Sequence, residues 1–143
     1  MNWYKQEKYA LFGWGEKKNY SNIVASLAKD MNRELIPKIH KLHNEVNFKG
    51  FDVKQVNNSE NFIARYIRGT TNWPVIELNL HNAVWATKRY NTSFETIIKM
   101  DVVRELGLAI QEVLGLRQDY READNFARMW MGDHGLPEFG VAA

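Results

Sequence analysis

The chain has 143 residues, of which 45% are hydrophobic and 25% charged, a formal net charge of +2 and no cysteine. That length supports one domain with a proper core, and the missing cysteines exclude a disulfide framework and fit a reducing cytoplasm. The charge excess is too small for the concentrated basic face of a nucleic-acid binder, and no long apolar run reads as a signal peptide or a membrane span.

Residues 1–20 carry Trp3, Tyr4, Tyr9, Phe12, Trp14 and Tyr20 among Lys5, Lys8, Lys17 and Lys18. Aromatics interleaved with cations offer a stacking surface for single-stranded nucleic acid, but Glu7 and Glu16 dilute the charge and favour an arm laid on the core. Gly13 and Gly15 are expected to separate this arm from a helical segment over 21–46. Ser21 is its candidate N-cap, and Ile23, Val24, Leu27, Met31, Leu35, Ile39, Leu42 and Val46 keep the helical period. Pro37 predicts a kink or two helices joined near Ile36. His40 and His43 share a helix face at a spacing compatible with metal, but without a third ligand they read as ordinary imidazoles.

After Gly50 the period shifts toward two. FDVKQV and NFIARYIR read as strands separated by the Asn57, Asn58, Ser59 turn cluster, and VIELNL after Pro74 reads as a third strand, a candidate sheet edge. His81 to Tyr90 forms a short helix. The central element is 92–115, TSFETIIKMDVVRELGLAIQEVLG, where Thr92 and Glu95 have capping-box spacing, Gly115 ends the helix, and the apolar stripe is too wide for one-sided packing. Asp119 and Glu122 repeat that spacing at the head of a second helix over 119–131, and an irregular tail follows over 132–143.

The run from Pro74 to Ala127, with RELGLA (Arg104 to Ala109) in the central helix and EADNFA beginning at Glu122, resembles the small zincin metallopeptidases of the gluzincin type. Their signature H-E-x-x-H appears here as RELGL, with ELG-x-AIQE, from Glu105 to Glu112, the most specific part. The resemblance implies an α+β fold: a small twisted sheet of about three strands packed on the active-site-type helix and a following glutamate-bearing helix, with helices at the N-terminal side. It also implies that Glu105 matches the general base, Arg104 and Leu108 the two histidine ligands, and Glu122 the third ligand. Guanidinium has no lone pair to offer and leucine no donor atom, so neither holds zinc, and no cofactor is expected. The water that Glu105 would deprotonate then keeps a pKa near 15.7 rather than about 7.

Two further expectations follow. Arg104 is placed against Glu122, and also near Glu105, as a cationic substitute for the metal's cross-link. A replacement metal site from Glu122, Asp124, Asp133 and His134, or with His81, matches no recognised ligand spacing. Function reads as an inactive pseudopeptidase, natural or engineered, whose cleft beside the third strand still holds an extended peptide or protein by strand addition. The alternative is a nucleic-acid or protein binding module, or a different reaction in the emptied pocket.

Overall fold

A computed structural model of the chain describes residues 14–132 and 134–140. Helix α1 (Trp14–Leu42) leads into strands β1 (Asp52–Val56), β2 (Ala64–Tyr66) and β3 (Val75–Asn79), followed by helices α2 (Leu80–Arg89), α3 (Phe94–Val113) and α4 (Tyr120–Met131). This is the expected α+β arrangement. No helix among the described residues is long and apolar enough to cross a membrane.

Helix α1 starts earlier than its sequence suggested and is continuous through Pro37. Gly15 lies inside it, and Ser21 is an interior residue whose carbonyl accepts the Gln55 side-chain amide at 2.9 Å, tying α1 to β1. The proposed arm of residues 1–20 is therefore helical from Trp14 onward, while Trp3, Tyr4, Tyr9 and Phe12 lie outside the described residues. Pro37 does not break the helix. It removes one amide donor, but Pro37 and the Arg33 carbonyl it leaves unpaired are on the exposed side, where water serves, while Leu35 and Ile39 on the other side are fully buried. The helix ends at Leu42, short of Val46, whose amide closes a turn on the His43 carbonyl at 3.0 Å.

The sheet order is β1-β3-β2, so β3 is the central strand and not an edge. Burial fits that place, with Ile76 and Leu78 fully inaccessible. β1 runs parallel to β3 with Val53 opposite Ile76, and β2 runs antiparallel to it with Ala64 opposite Leu78 and Tyr66 opposite Ile76. One face turns Ala64, Tyr66, Ile76 and Leu78 into the core. On the other, Arg65 reaches Glu77 across the strands at 2.7 Å and Glu60 at 2.8 Å.

Two asparagines fix the approach to β2. Asn79 donates to the Asn58 side chain at 2.9 Å, and Asn82 donates to the carbonyls of Glu60, at 2.8 Å, and of Phe62. A third, Asn32 of α1, both donates to and accepts from the Phe51 backbone, at 2.9 and 2.8 Å, as a neighbouring strand would.

Helix α3 is capped by Ser93 rather than Thr92. The Ser93 hydroxyl accepts the Thr96 amide at 3.1 Å, while the Thr92 amide is engaged with the Thr87 carbonyl at the end of α2. Asp119 caps α4 as expected, accepting the amides of Arg121 and Glu122, but Glu122 does not return the bond. Fully buried Gln111 does so instead: its oxygen accepts the Asp119 amide at 3.0 Å, and its nitrogen donates to the Asp119 carbonyl at 2.9 Å and to Glu122 at 3.1 Å. The tail has no regular element, yet Phe139 is buried against Phe126, and its amide donates to the buried His43 Nε2 at 3.2 Å. His43 is thus a packing residue and a tether for the tail.

Helices α3 and α4 approach most closely at Gly107. A β-carbon there would lie 3.1 Å from Ala123 Cβ, 3.2 Å from Ala123 Cα and 3.3 Å from the Phe139 ring. Backbone on one side and a buried ring on the other leave no easy relief. Gly107→Val is expected to lower stability by roughly 1–3 kcal/mol, read as a lower denaturation midpoint; an unchanged midpoint would show that the helices can part freely.

Candidate functional site

The middle of α3 faces three elements: the open edge of β2, the end of α2, and the first turn of α4. Glu105 stands where they meet, with only 4% of its surface exposed. Its Oε1 accepts the Tyr66 backbone amide at 2.9 Å and its Oε2 accepts the Tyr120 hydroxyl at 2.8 Å. Both bonds cross between elements, so one carboxylate joins sheet, α3 and α4.

Arg104 does not meet Glu122. Its Nη2 pairs with Asp101 at 2.7 Å, its Nε lies 3.8 Å from Glu105 and its Nη1 3.9 Å from Asp124, and the guanidinium sits 5.5 Å from the centre of the Tyr120 ring. The Glu122 carboxylate accepts instead from Gln111 at 3.1 Å and from the Gly140 amide at 3.3 Å. The reason is helical phase. Tyr120 and Asp124 are four apart and share one face of α4, whereas Glu122 is two residues from each and points roughly 200° away. The expected pairing of Arg104 with Glu122 is therefore not formed; the acid of α4 within 4 Å of the guanidinium is Asp124, at 3.9 Å, while Asp101 and Glu105 belong to α3 itself.

These contacts set the local electrostatics. Burial pulls the Arg104 guanidinium down, but Asp101, Tyr120 and Glu105 outweigh it and hold its pKa above the ordinary value. Asp101 is raised because burial outweighs the nearby Arg104 charge. The Tyr120 phenol is raised by burial and then by its bond to Glu105. Deeper in the core, burial and the Glu112 carboxylate push Tyr66 up to about 12.

Beside this cluster is a groove of about 340 Å³. Ala64 of β2 lines it, α2 and its end contribute Asn82, Trp85 and Tyr90, and Arg104 and Tyr120 complete it. It runs along β2, not along β3 as the sequence suggested, because β3 is interior. The Asn79 amide bonds to Ile63 at 2.8 Å and the Ile67 amide to Val75 at 2.9 Å, so residues 63, 65 and 67 turn their amides and carbonyls toward β3. Phe62, Ala64 and Tyr66 turn theirs outward. Asn82 occupies the Phe62 carbonyl and Glu105 the Tyr66 amide, which leaves Ala64 between them with its N–H and C=O directed at the groove.

The donor set does not fit a catalytic zinc. Arg104 and Leu108 supply no metal-binding atom, Glu122 is turned away, and no group of three or more His, Asp or Glu among the described residues is placed to hold a metal. Asp124 of α4 pairs with Arg128 at 2.6 Å, and Asp133 of the tail lies outside the described residues. His81 is buried and does not line the groove. Sequence reasoning missed Asp101 and Tyr120 and weighed Asp124 only for a replacement metal site; the i, i+3 spacing of Asp101 with Arg104 and the i, i+4 spacing of Tyr120 with Asp124 were the available signals. No family model matches the chain, and no curated protein or solved structure matches it either.

Asp101 gives a pH signature. Its folded pKa lies above the unfolded value of about 3.9, so between those two values the folded state holds the extra proton, and stability falls as pH rises through that window. Asp101→Asn keeps an oxygen for Arg104 but cannot ionise, so its urea midpoint is expected to decline less than the wild type's from pH about 4 upward; parallel curves would contradict the burial argument.

The residue of α4 that faces Glu105 is Tyr120, while Glu122 bonds Gln111 on the other side of the helix. Arg104→His with Leu108→His is expected to bind zinc weakly, because Glu122 cannot turn toward it, and adding Tyr120→Glu is expected to tighten binding by more than about tenfold, the upper part of what even outer-shell changes cause. Competition against a fluorescent zinc chelator reads this; equal affinity for the double and triple variants would return the role to Glu122.

Proposed function

We propose that the chain is a zincin-fold homologue without hydrolytic metal, working as a module that holds an extended peptide in the groove beside β2. The order of elements supports the homology: three strands, then the helix carrying RELGL, then a crossing helix that meets its middle. Peptide hydrolysis is not part of the reading. With neither histidine present nothing lowers the pKa of water, and both oxygens of Glu105 already accept structural hydrogen bonds.

The observation that carries the proposal is the position on the β2 edge that no hydrogen bond occupies among the described residues, that of Ala64. Ala64 offers one donor and one acceptor, spaced as an antiparallel neighbour needs them, inside a groove with aromatic side chains on its walls. Main-chain pairing supplies affinity there, and Trp85, Tyr90 and Tyr120 supply apolar surface for a ligand side chain.

Panning the protein against a displayed library of random twelve-residue peptides is expected to enrich binders. Their affinity should drop at least about tenfold in Ala64→Pro. Proline deletes the outward amide and not a ladder bond, and an edge strand tolerates it, so the variant should keep its circular dichroism and melting profile. Enrichment of nothing, or binders indifferent to Ala64→Pro, would discard the proposal.

A further inference from the structure

Resting on that peptide-binding reading, we infer that Arg104 is the residue that recognises the bound segment from the opposite side, donating to one main-chain carbonyl, and that the site therefore takes an internal stretch of extended peptide rather than a chain end. A guanidinium carries five N–H donors. Among the described residues a single contact, Nη2 to Asp101 at 2.7 Å, is of hydrogen-bond length; the buried Nε and Nη1 stand 3.8 and 3.9 Å from carboxylate oxygens, and the spare donors that can reach the groove are those of the two terminal nitrogens. Arg104 lines the same groove as Ala64, and its side chain keeps 21% of its surface accessible. Spare donors and the free edge thus border one space.

The geometry of an extended chain links the two. Successive residues of a strand turn their N–H and C=O groups to opposite sides. A ligand residue that pairs with Ala64 leaves its neighbour's carbonyl pointing away from β2, and Arg104, which lines the same groove, is its donor. Bonds on both sides hold the backbone without reading side chains, so they fix register and direction.

Charge selects the class of acceptor. Arg104 already has three carboxylates within 4 Å, those of Asp101, Glu105 and Asp124. A terminal carboxylate placed here would be the fourth around one guanidinium, repelled by the other three in a partly buried setting. A peptide carbonyl is a good acceptor with no net charge and meets no such opposition. Asp101 and Glu105 help hold the Arg104 pKa above its ordinary value, so the donor stays charged throughout the physiological range.

The test uses a twelve-residue peptide recovered by the panning above, made with an amidated C-terminus, and fluorescence anisotropy as readout. Arg104→Lys keeps the charge but loses the fork and is expected to weaken binding roughly tenfold. On the ligand, each carbonyl oxygen is replaced in turn by sulfur, a poorer acceptor. Beyond the residue paired with Ala64, one further position should lose affinity with the wild type and lose none with Arg104→Lys, the non-additivity of a direct contact. Truncating the peptide to place a free carboxylate at that position should weaken it further. Unchanged affinity in Arg104→Lys with no Arg104-dependent position, or tighter binding of the truncated acid, would overturn the inference while leaving peptide binding intact. If panning recovers no peptide, both fall together. Because the sulfur scan alters only the ligand, finding no sensitive carbonyl beyond the residue paired with Ala64 would overturn the inference even if Arg104→Lys folds poorly.

Discussion

The Glu105 carboxylate is the constraint on which the arrangement depends. A buried acid without partners costs several kcal/mol, so Glu105 is tolerated only while Tyr66 and Tyr120 both donate to it. Those donors come from the sheet edge and from the first turn of α4. The requirement to satisfy one carboxylate therefore sets the distance from β2 to α3 and the rotation of α4 about its own axis. The groove is the space left beside these contacts. Gly107, two residues further along α3, lets α4 come close enough for the Tyr120 hydroxyl to reach.

Arg104 extends the same logic outward. Three acids lie near its charge, two of them on its own helix and one on α4, so the guanidinium binds the helices electrostatically and moderates repulsion among the acids. Such a cluster differs from a metal centre. Zinc draws its ligands into a tetrahedron at about 2 Å, whereas the cluster has one short pair and two longer approaches. The looser geometry keeps cohesion between helices while leaving hydrogen-bond donors available.

The elements with strong periodicity were legible in the sequence. The stripe over α3, the alternation in VIELNL and the Asp119 cap all correspond to observed structure, because each is decided by neighbours within a few residues. What failed needed long-range information. Pro37 was read as a kink or a junction of two helices near Ile36, but one helix runs through it, with Leu35 and Ile39 buried against other elements. β3 was read as an edge because alternation resembles one-sided exposure, and only pairing with both β1 and β2 puts it in the centre. At the site, Glu105 was singled out as a base and is found as a buried tie. Glu122 was assigned to the cluster by motif alignment, although a two-residue offset from Tyr120 and Asp124 puts it on the other side of α4.

Edge strands are exposed to unwanted pairing, and β2 manages that by blocking two of its outward positions with side chains from helices. Asn82 covers an acceptor and Glu105 covers a donor. A whole strand from another copy needs several consecutive positions to pair stably, so this edge cannot grow a sheet. A peptide that needs just one position, and gains the rest of its affinity from aromatic walls and an arginine, is not excluded. The same two side chains thus separate accidental association from selective binding, and they do so with groups that also hold the fold together.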